Sequence, residues 1–306
     1  MSTPIQTGQK KLPEGGAVFT DISGGRKAVN SVATVLVWLT MLFALVPLIW
    51  VLVTVFRLGI GPILDPQWWT DDQGGIPAFF PGGGALHAIV GTIMQTLVAA
   101  LFAVPIGVFT AVYLVEYSRG GLLGRLTTFM VDILSGVPSI VAALFIYALW
   151  ITTLGFDRSG FAVTLSLLLL MIPIVVRNTE EMLRVVPMDL REASYALGVP
   201  KWKTIAKIVL PTALSGIVTG IMLAIARVMG ESAPVLVLVG STTHLSYNMF
   251  GGSQSSLPLM MLDMYKSGTS DATLDKLWGA ALTLVLMIAI LNILARVIAE
   301  KFSVKK

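Results

Sequence analysis

Six stretches of the chain contain no Asp, Glu, Lys or Arg and are made largely of apolar residues. A helix rises about 1.5 Å per residue, so roughly 20 residues cross a hydrocarbon layer about 30 Å thick. Each stretch is long enough, or nearly so, and none shows the alternating segments of about ten residues that are typical of membrane barrels. We therefore predict an all-α integral membrane protein with six transmembrane helices. The stretches are residues 28–56, 88–115, 133–156, 159–176, 208–226 and 277–295.

The composition agrees with a chain whose solvent is mostly lipid. Apolar residues make up 55% and charged residues 12%, whereas soluble domains carry about 25% charged residues. The mean hydropathy is +0.84. These values exclude an ordinary soluble enzyme. The chain has no cysteine and two histidines, which excludes disulfides and thiolate metal sites and leaves little for a metal centre.

The distribution of basic residues indicates the orientation in the membrane. An even number of spans places both termini on one side, and that side holds 16 of the 21 Lys and Arg residues. Basic residues accumulate in short cytoplasmic loops, so we expect both termini to be cytoplasmic in a multi-pass plasma-membrane protein. The net charge of +4 is then a topology signal and does not indicate a nucleic-acid partner.

The same pattern divides the chain into segments. Residues 1–27 are expected to form a cytoplasmic tail, 28–56 a first span, 57–87 an external loop, and 300–306 a second cytoplasmic tail. Residues 88–299 would form a core that holds the other five spans, with a cytoplasmic loop at 179–211.

Two external loops carry apolar residues. The aromatic residues of the first loop indicate either an interfacial belt or a docking surface for an external partner. The second loop, residues 241–276, contains an apolar piece at 257–264 that is too short to span and predicts a re-entrant or surface helix. The aromatic residues concerned are Trp68, Trp69, Phe79 and Phe80.

The cytoplasmic loop at 179–211 has the pattern of two short helices. Asp189 and Glu192 have the spacing of a capping box, and Gly198 followed by Pro200 is a typical helix end. A second helix is expected to start near Pro200, with Trp202, Ile205 and Val209 along one side. The first helix places Leu190, Ala193 and Leu197 on one face. A cytoplasmic apolar face with no core of its own indicates a protein partner.

This loop resembles the EAA loop of ABC-importer permeases. The matching residues are Glu192-Ala193-Ser194, Gly198, Ile208 and Leu210-Pro211, with Ser194 in place of the third small residue. The resemblance implies a coupling helix that docks on a separate ATP-binding subunit, so ATP and Mg would be bound there and not by this chain. The resemblance and the predicted helix pattern together indicate the coupling residues, which are Asp189, Glu192, Ala193, Ser194, Leu197, Gly198 and Trp202.

Three further segments narrow the resemblance to the A-type permeases (PstA) of phosphate importers. They are 135–141 (SGVPSIV), 177–181 (RNTEE) and 227–234 (RVMGESAP). The resemblance implies a type I importer core of five helices preceded by one extra helix. It also implies a C-type permease partner, a dimer of the ATP-binding subunit and an extracytoplasmic phosphate-binding protein.

Two charged residues, Arg227 and Glu231, fall where lipid exposure is implausible. They lie four residues apart, so on one helix they would be neighbours, and we expect them to pair and to face a protein interior or a water-filled cavity. They are either a structural ion pair or a pathway site where Arg227 binds a phosphate oxygen pair. Arg177, at the cytoplasmic end of span four, is either a snorkelling residue or part of the pathway. Asp132 is expected to pair with a basic residue or to lie at the interface.

Other functions remain as alternatives. The chain has no G-x-x-x-x-G-K-[ST] loop, so an ATP-driven transporter needs a separate ATPase. An intramembrane enzyme would need paired carboxylates, a Ser–His pair or metal ligands, and none is evident in the sequence. An ion-coupled secondary transporter would leave the coupling-type loop unexplained, and an importer of sulfate or molybdate is also open. Pro138, Pro173 and Pro234 mark candidate helix kinks.

Overall fold

The computed structural model describes residues 24–118 and 120–302, and these residues form helices and their connections. Five helices are long and apolar enough to cross a membrane, or six when one bent pair is counted as a single span. The helices are α1 (Gly24–Leu64), α2 (Gln67–Thr70), α3 (Leu86–Tyr117), α4 (Leu122–Gly136), α5 (Ser139–Thr153), α6 (Gly160–Val185), α7 (Met188–Ala196), α8 (Lys201–Met229), α9 (Ala233–Leu238), α10 (Leu257–Lys266) and α11 (Asp271–Phe302).

The chain divides into two compact units, Met1–Val53 and Thr54–Lys306. In the first unit the described residues form the apolar first part of α1. The expected cytoplasmic tails at 1–27 and 300–306 lie partly outside the described residues, and residues 24–27 and 300–302 are helical. The expected external loop at 57–87 starts later than predicted, because α1 continues to Leu64.

Helix α6 is the centre of the second unit. Its residues Val163, Leu167, Met171 and Val175 are buried against α3, α5, α8 and α9. Small residues at the crossings allow close approach: a Cβ atom on Gly107 of α3 would lie 2.6 Å from Val175 Cγ1. The apolar stretches of the second unit therefore form a packed bundle.

Helix α8 packs on α6 through Gly216 and Gly220, which have the G-x-x-x-G spacing of close helix pairs in membranes. A Cβ atom on Gly216 would lie 2.2 Å from Met182 Sδ, and one on Gly220 would lie 2.5 Å from Asn178 Cβ. An alanine at either position would therefore force a neighbouring atom to move.

The third expected span, 133–156, is not one continuous helix. Helices α4 and α5 are inclined to each other by 106° at the break between Gly136 and Ser139. Pro138 has no N–H to donate and restricts Val137 to extended backbone, which is observed at Val137, with φ −73° and ψ 125°. By contrast, Pro173 lies inside the continuous helix α6, and Pro234 lies in the first turn of α9.

The sequence predicts a second short helix that starts near Pro200. In the structure this segment is the first part of one continuous helix, Lys201–Met229. Its turn Ile205–Val209 is π-helical, and Pro211 follows in the next turn. This π-helical turn alters the backbone hydrogen-bond pattern just before Pro211. The helix therefore continues past the proline. Ile205 and Val209 are buried, whereas Trp202 is exposed, so the three do not share one environment.

The connections at 57–87 and 241–276, which the sequence predicts to be external, contribute buried residues to the second unit. Helix α10 contains the predicted apolar piece, and its residues Leu257, Leu259 and Met260 are buried. Trp68 is also buried and donates a hydrogen bond from Nε1 to Thr283 Oγ1 at 2.9 Å. The prediction of an exposed aromatic role is therefore wrong for Trp68, while Trp69, Phe79 and Phe80 are exposed.

Candidate functional site

Helix α7 presents the apolar face that the sequence predicts. Leu190 and Ala193 are exposed, and Leu197 is 83% exposed. Trp202, at the start of α8, is 64% exposed. Gly198 adopts φ +73° directly after the helix, which is the left-handed end that the sequence predicts. We call Leu190, Ala193, Leu197 and Trp202 the α7 surface.

The expected capping box is wrong. Helix α7 begins at Met188, and its N-terminal flanking residue is Pro187, which makes no side-chain cap. Pro187 fixes its own φ and needs no N–H partner, so the helix starts before Asp189 could act as a cap. Asp189 instead lies in the first turn, where a negative charge is favourable near the helix N-terminus.

The opposite side of α7 is anchored by Arg191. Its Nη2 and Nε atoms donate to Glu116 Oε1 at 2.9 and 3.1 Å. It also donates to the backbone carbonyls of Val186 at 2.6 Å and Leu183 at 2.9 Å. Ser194 of the same helix shares a hydrogen bond of 2.8 Å with Thr204 of α8. The α7 surface is therefore held outward by a buried polar anchor.

A second charged cluster joins α6 to α4. Arg177 pairs with Asp132 through Nη2 and with Glu180 through Nη1 at 2.9 Å. Glu180 also accepts a hydrogen bond from Arg184 at 2.6 Å. Of the two alternatives for Asp132, the structure shows pairing, and the partner is Arg177.

Arg227 and Glu231 do not form the expected pair. Helix α8 ends at Met229, and Glu231 lies in the connection that precedes α9. Gly230 ends the helix, and its N–H donates to the Arg227 carbonyl at 3.2 Å. In the part of the chain that the structure describes, no hydrogen bond or ion pair joins the two side chains. Arg227 is exposed on this chain, and Glu231 is half-buried.

Asp72 links the connection that precedes α3 to the connection that follows α9. Its carboxylate accepts hydrogen bonds from the N–H of Leu245 and of Gly74, both at 2.9 Å. These bonds favour the charged form and lower the pKa of Asp72 below its ordinary value of 3.8. The described residues contain no group of three or more His, Asp and Glu side chains arranged to hold a metal ion.

The comparisons with known proteins decide the family. Residues 103–304 match the family described as binding-protein-dependent transport system inner membrane component. The chain is 51% identical to the phosphate transport system permease protein PstA of Mycobacterium leprae, over 92% of both chains. It is 41% identical to the PstA protein of Yersinia pestis, over 90% of this chain and 92% of the relative. The chain belongs to the PstA family of permeases.

Solved structures agree on the fold of this PstA-family chain. A chain of the MetNI methionine ABC transporter matches with a TM-score of 0.57 and 20% identity, over 70% of this chain and 94% of that chain. A chain of a bacterial alginate ABC transporter matches with a TM-score of 0.59 and 12% identity, over 90% and 96%. The fold is that of ABC-importer permeases.

Sequence reasoning missed Glu116 and Arg191 in this PstA-family fold. They lie 75 residues apart, and Glu116 follows a long apolar stretch while Arg191 lies in the basic loop. A local pattern does not connect them. The sequence did contain one indication. Glu116 directly follows the apolar stretch 88–115, and a carboxylate at that position can be expected to pair with a basic residue of a neighbouring loop.

Proposed function

We propose that the chain is the permease subunit of an ATP-driven phosphate importer, and that with a second, C-type permease it forms the pathway for inorganic phosphate. The identity to PstA proteins over nearly the whole chain carries this proposal. An extracytoplasmic binding protein delivers phosphate, and ATP and Mg are bound by a separate ATPase dimer. The chain is a transport component and not an enzyme.

The orientation follows from the basic residues. With both termini and the α7 surface in the cytoplasm, most Lys and Arg residues lie on the side that the positive-inside rule requires. The α7 surface then faces the compartment that holds the ATPase. Its exposed Trp202 is of a residue type that often dominates the binding energy of protein interfaces, and the exposed Leu197 adds apolar area beside it.

Replacement of Trp202 by alanine tests the docking surface. Trp202 is exposed, so the fold is retained, and we expect binding of the ATPase to weaken roughly 30-fold, which corresponds to an interface anchor of about 2 kcal/mol. Co-purification and a binding isotherm with the ATPase subunit measure this. Tyr265→Ala, at an exposed residue of α10, is the control and should bind normally. Equal binding by both variants would contradict the docking role.

The proposed pathway includes Arg227, Glu231 and Arg177. Arg227 is exposed and makes no side-chain hydrogen bond within the described ranges, so its planar set of donors is available to two phosphate oxygens. Glu231, nearby in sequence, adds a negative charge that limits how tightly an anion binds. Arg177 already pairs with Asp132 and Glu180, so a passing anion would have to exchange with Asp132.

Arg227→Gln tests the pathway. Hydrogen bonds to charged groups contribute roughly 1.5–3 kcal/mol, so we expect phosphate uptake to fall by about tenfold or more. Uptake is measured in proteoliposomes that contain the assembled complex. The control is Arg57→Gln, which removes an exposed arginine on α1. Normal uptake by an assembled Arg227→Gln complex would remove Arg227 from the pathway.

Sulfate or molybdate is the second candidate substrate, because an arginine in the pathway binds oxyanions in general and does not distinguish phosphate from the other two. ATP hydrolysis by the complex with its binding protein should be stimulated by phosphate and not by sulfate. Stimulation by sulfate alone would contradict the substrate assignment. Uptake that continues with an inactive ATPase would instead favour an ion-coupled transporter.

A further inference from the structure

The buried ion pair between Glu116 and Arg191 connects two helices that lie far apart in the chain. Glu116 is in the last turn of α3, and Arg191 is in the middle of α7. Their side chains are only 6% and 7% exposed. A buried pair of this kind is destabilised strongly when one partner is removed, because the other charge is left uncompensated. The pair therefore fixes the position of α7 relative to α3.

The remaining donors of Arg191 reach the end of α6. The carbonyls of Leu183 and Val186 accept its hydrogen bonds, and they belong to a helix end whose last carbonyls have no partner within the helix. A cation is favourable at that end. One guanidinium thus joins α3, the end of α6 and α7.

The beginning of α8 is attached to the same point. Lys201 Nζ donates to the backbone carbonyl of Glu116 and lies 4.7 Å from the centre of the Tyr117 ring. The turn Tyr113–Tyr117 that carries these groups is π-helical, and such turns commonly occur at functional positions. The end of α3 is therefore in contact with both α7 and α8.

Helix α7 is covalently continuous with α6 and α8 through short connections, and it has no such continuity with α3. We propose that Glu116 and Arg191 are positioning residues that transmit the displacement of α7 to α3, so that movement of the ATPase changes the transmembrane bundle. The inference rests on the proposed docking of the ATPase on the α7 surface. It adds a role for two residues that lie behind that surface and do not contact the ATPase.

The physical consequence is a change in coupling and not only in stability. Without the charge on Glu116, α7 still docks and the ATPase still hydrolyses ATP, but α3 follows α7 less closely, because the contacts of Lys201 remain and the ion pair is lost. The amount of substrate transported per ATP should therefore fall while ATP hydrolysis continues. A role confined to stability would reduce the amount of complex, its ATP hydrolysis and its transport in proportion.

The experiment uses the complete complex in proteoliposomes with the loaded binding protein. Glu116→Gln keeps the shape and one acceptor but removes the charge, and Glu116→Asp keeps the charge and shortens the side chain. Glu300→Gln, at an exposed residue of α11, is the matched control. Transported substrate, ATP hydrolysed and the amount of assembled complex are measured together.

We expect Glu116→Gln to assemble and to hydrolyse ATP while transport per ATP falls, with Glu116→Asp intermediate and Glu300→Gln unchanged. An unchanged ratio in both Glu116 variants, or a loss of assembly, hydrolysis and transport in equal proportion, would overturn the proposal.

The proposed function is tested separately by the wild-type complex. If the wild-type chain does not associate with the ATPase, the docking proposal fails before any variant is measured. If the wild-type complex transports sulfate and not phosphate, the substrate assignment fails, and the ratio of transport to hydrolysis still tests the coupling role.

Discussion

At the scale of single residues, the charged side chains have three different environments. Glu116 and Arg191 are buried and paired, and Arg177 is partly exposed and paired with Asp132 and Glu180. Arg227 is exposed and without a side-chain hydrogen bond in the residues described. An arginine whose donors are already bound serves positioning, whereas an unengaged arginine can bind an anion. This difference is the reason to place Arg227 first among the pathway candidates.

Asp72 offers a prediction about pH. Its lowered pKa means that its hydrogen bonds stabilise the two connections that it links above the unfolded-state pKa and lose this effect as the pH falls through the folded-state pKa. Asp72→Asn should therefore lower the midpoint of thermal unfolding at pH 7 and make that midpoint less sensitive to acid below about pH 4. The measurement is a series of unfolding curves in detergent. Identical curves for the two proteins at pH 7 would contradict a stabilising role for these bonds.

At the scale of helices, the crossing of α8 on α6 depends on two glycines. Gly220→Ala would place a Cβ atom 2.5 Å from Asn178 Cβ, and overpacking of this kind costs about 1–3 kcal/mol. Gly61→Ala is the matched control, since Gly61 lies in α1 with no atom within 4 Å of an added Cβ, and alanine there is expected to gain up to about 1 kcal/mol of helix stability. Unfolding midpoints of the purified variants should move in opposite directions. A higher unfolding midpoint for Gly220→Ala would contradict the close packing of α8 on α6 at this position.

Much of this architecture could be predicted from the sequence, because charge-free length alone marks a membrane helix. A charge-free stretch does not show whether its helix is straight or bent. The sequence therefore predicted only a candidate kink at Pro138, where the structure has a 106° bend. The false capping box at Asp189 has a similar origin. The spacing of Asp189 and Glu192 fits a capping box, but it does not fix the residue at which the helix starts. Here Pro187 sets that start.

The candidate site was only partly predictable. Gly198 and the exposed Leu197 follow local rules of helix geometry, and both are found as expected. The Glu116–Arg191 pair is set by tertiary packing across 75 residues, which no local spacing records. The expected contact between Arg227 and Glu231 required one uninterrupted helix, and Gly230 ends that helix before Glu231.

At the scale of the whole molecule, the proposed docking surface and the proposed anion site lie at different places. The exposed α7 surface is the proposed docking surface, and the ion pair behind it joins α7 to α3. The exposed arginine lies at the far end of α8, whose other end begins beside α7. One helix thus runs from the proposed docking surface to the proposed anion site.

The most direct test of this account is ATP-dependent phosphate accumulation by the reconstituted wild-type complex with its binding protein. We predict that phosphate accumulates against its gradient when the ATPase is active, stops when the ATPase is inactive, and is not reduced by excess sulfate. Accumulation that persists with an inactive ATPase, or that is found for sulfate and not for phosphate, would contradict it.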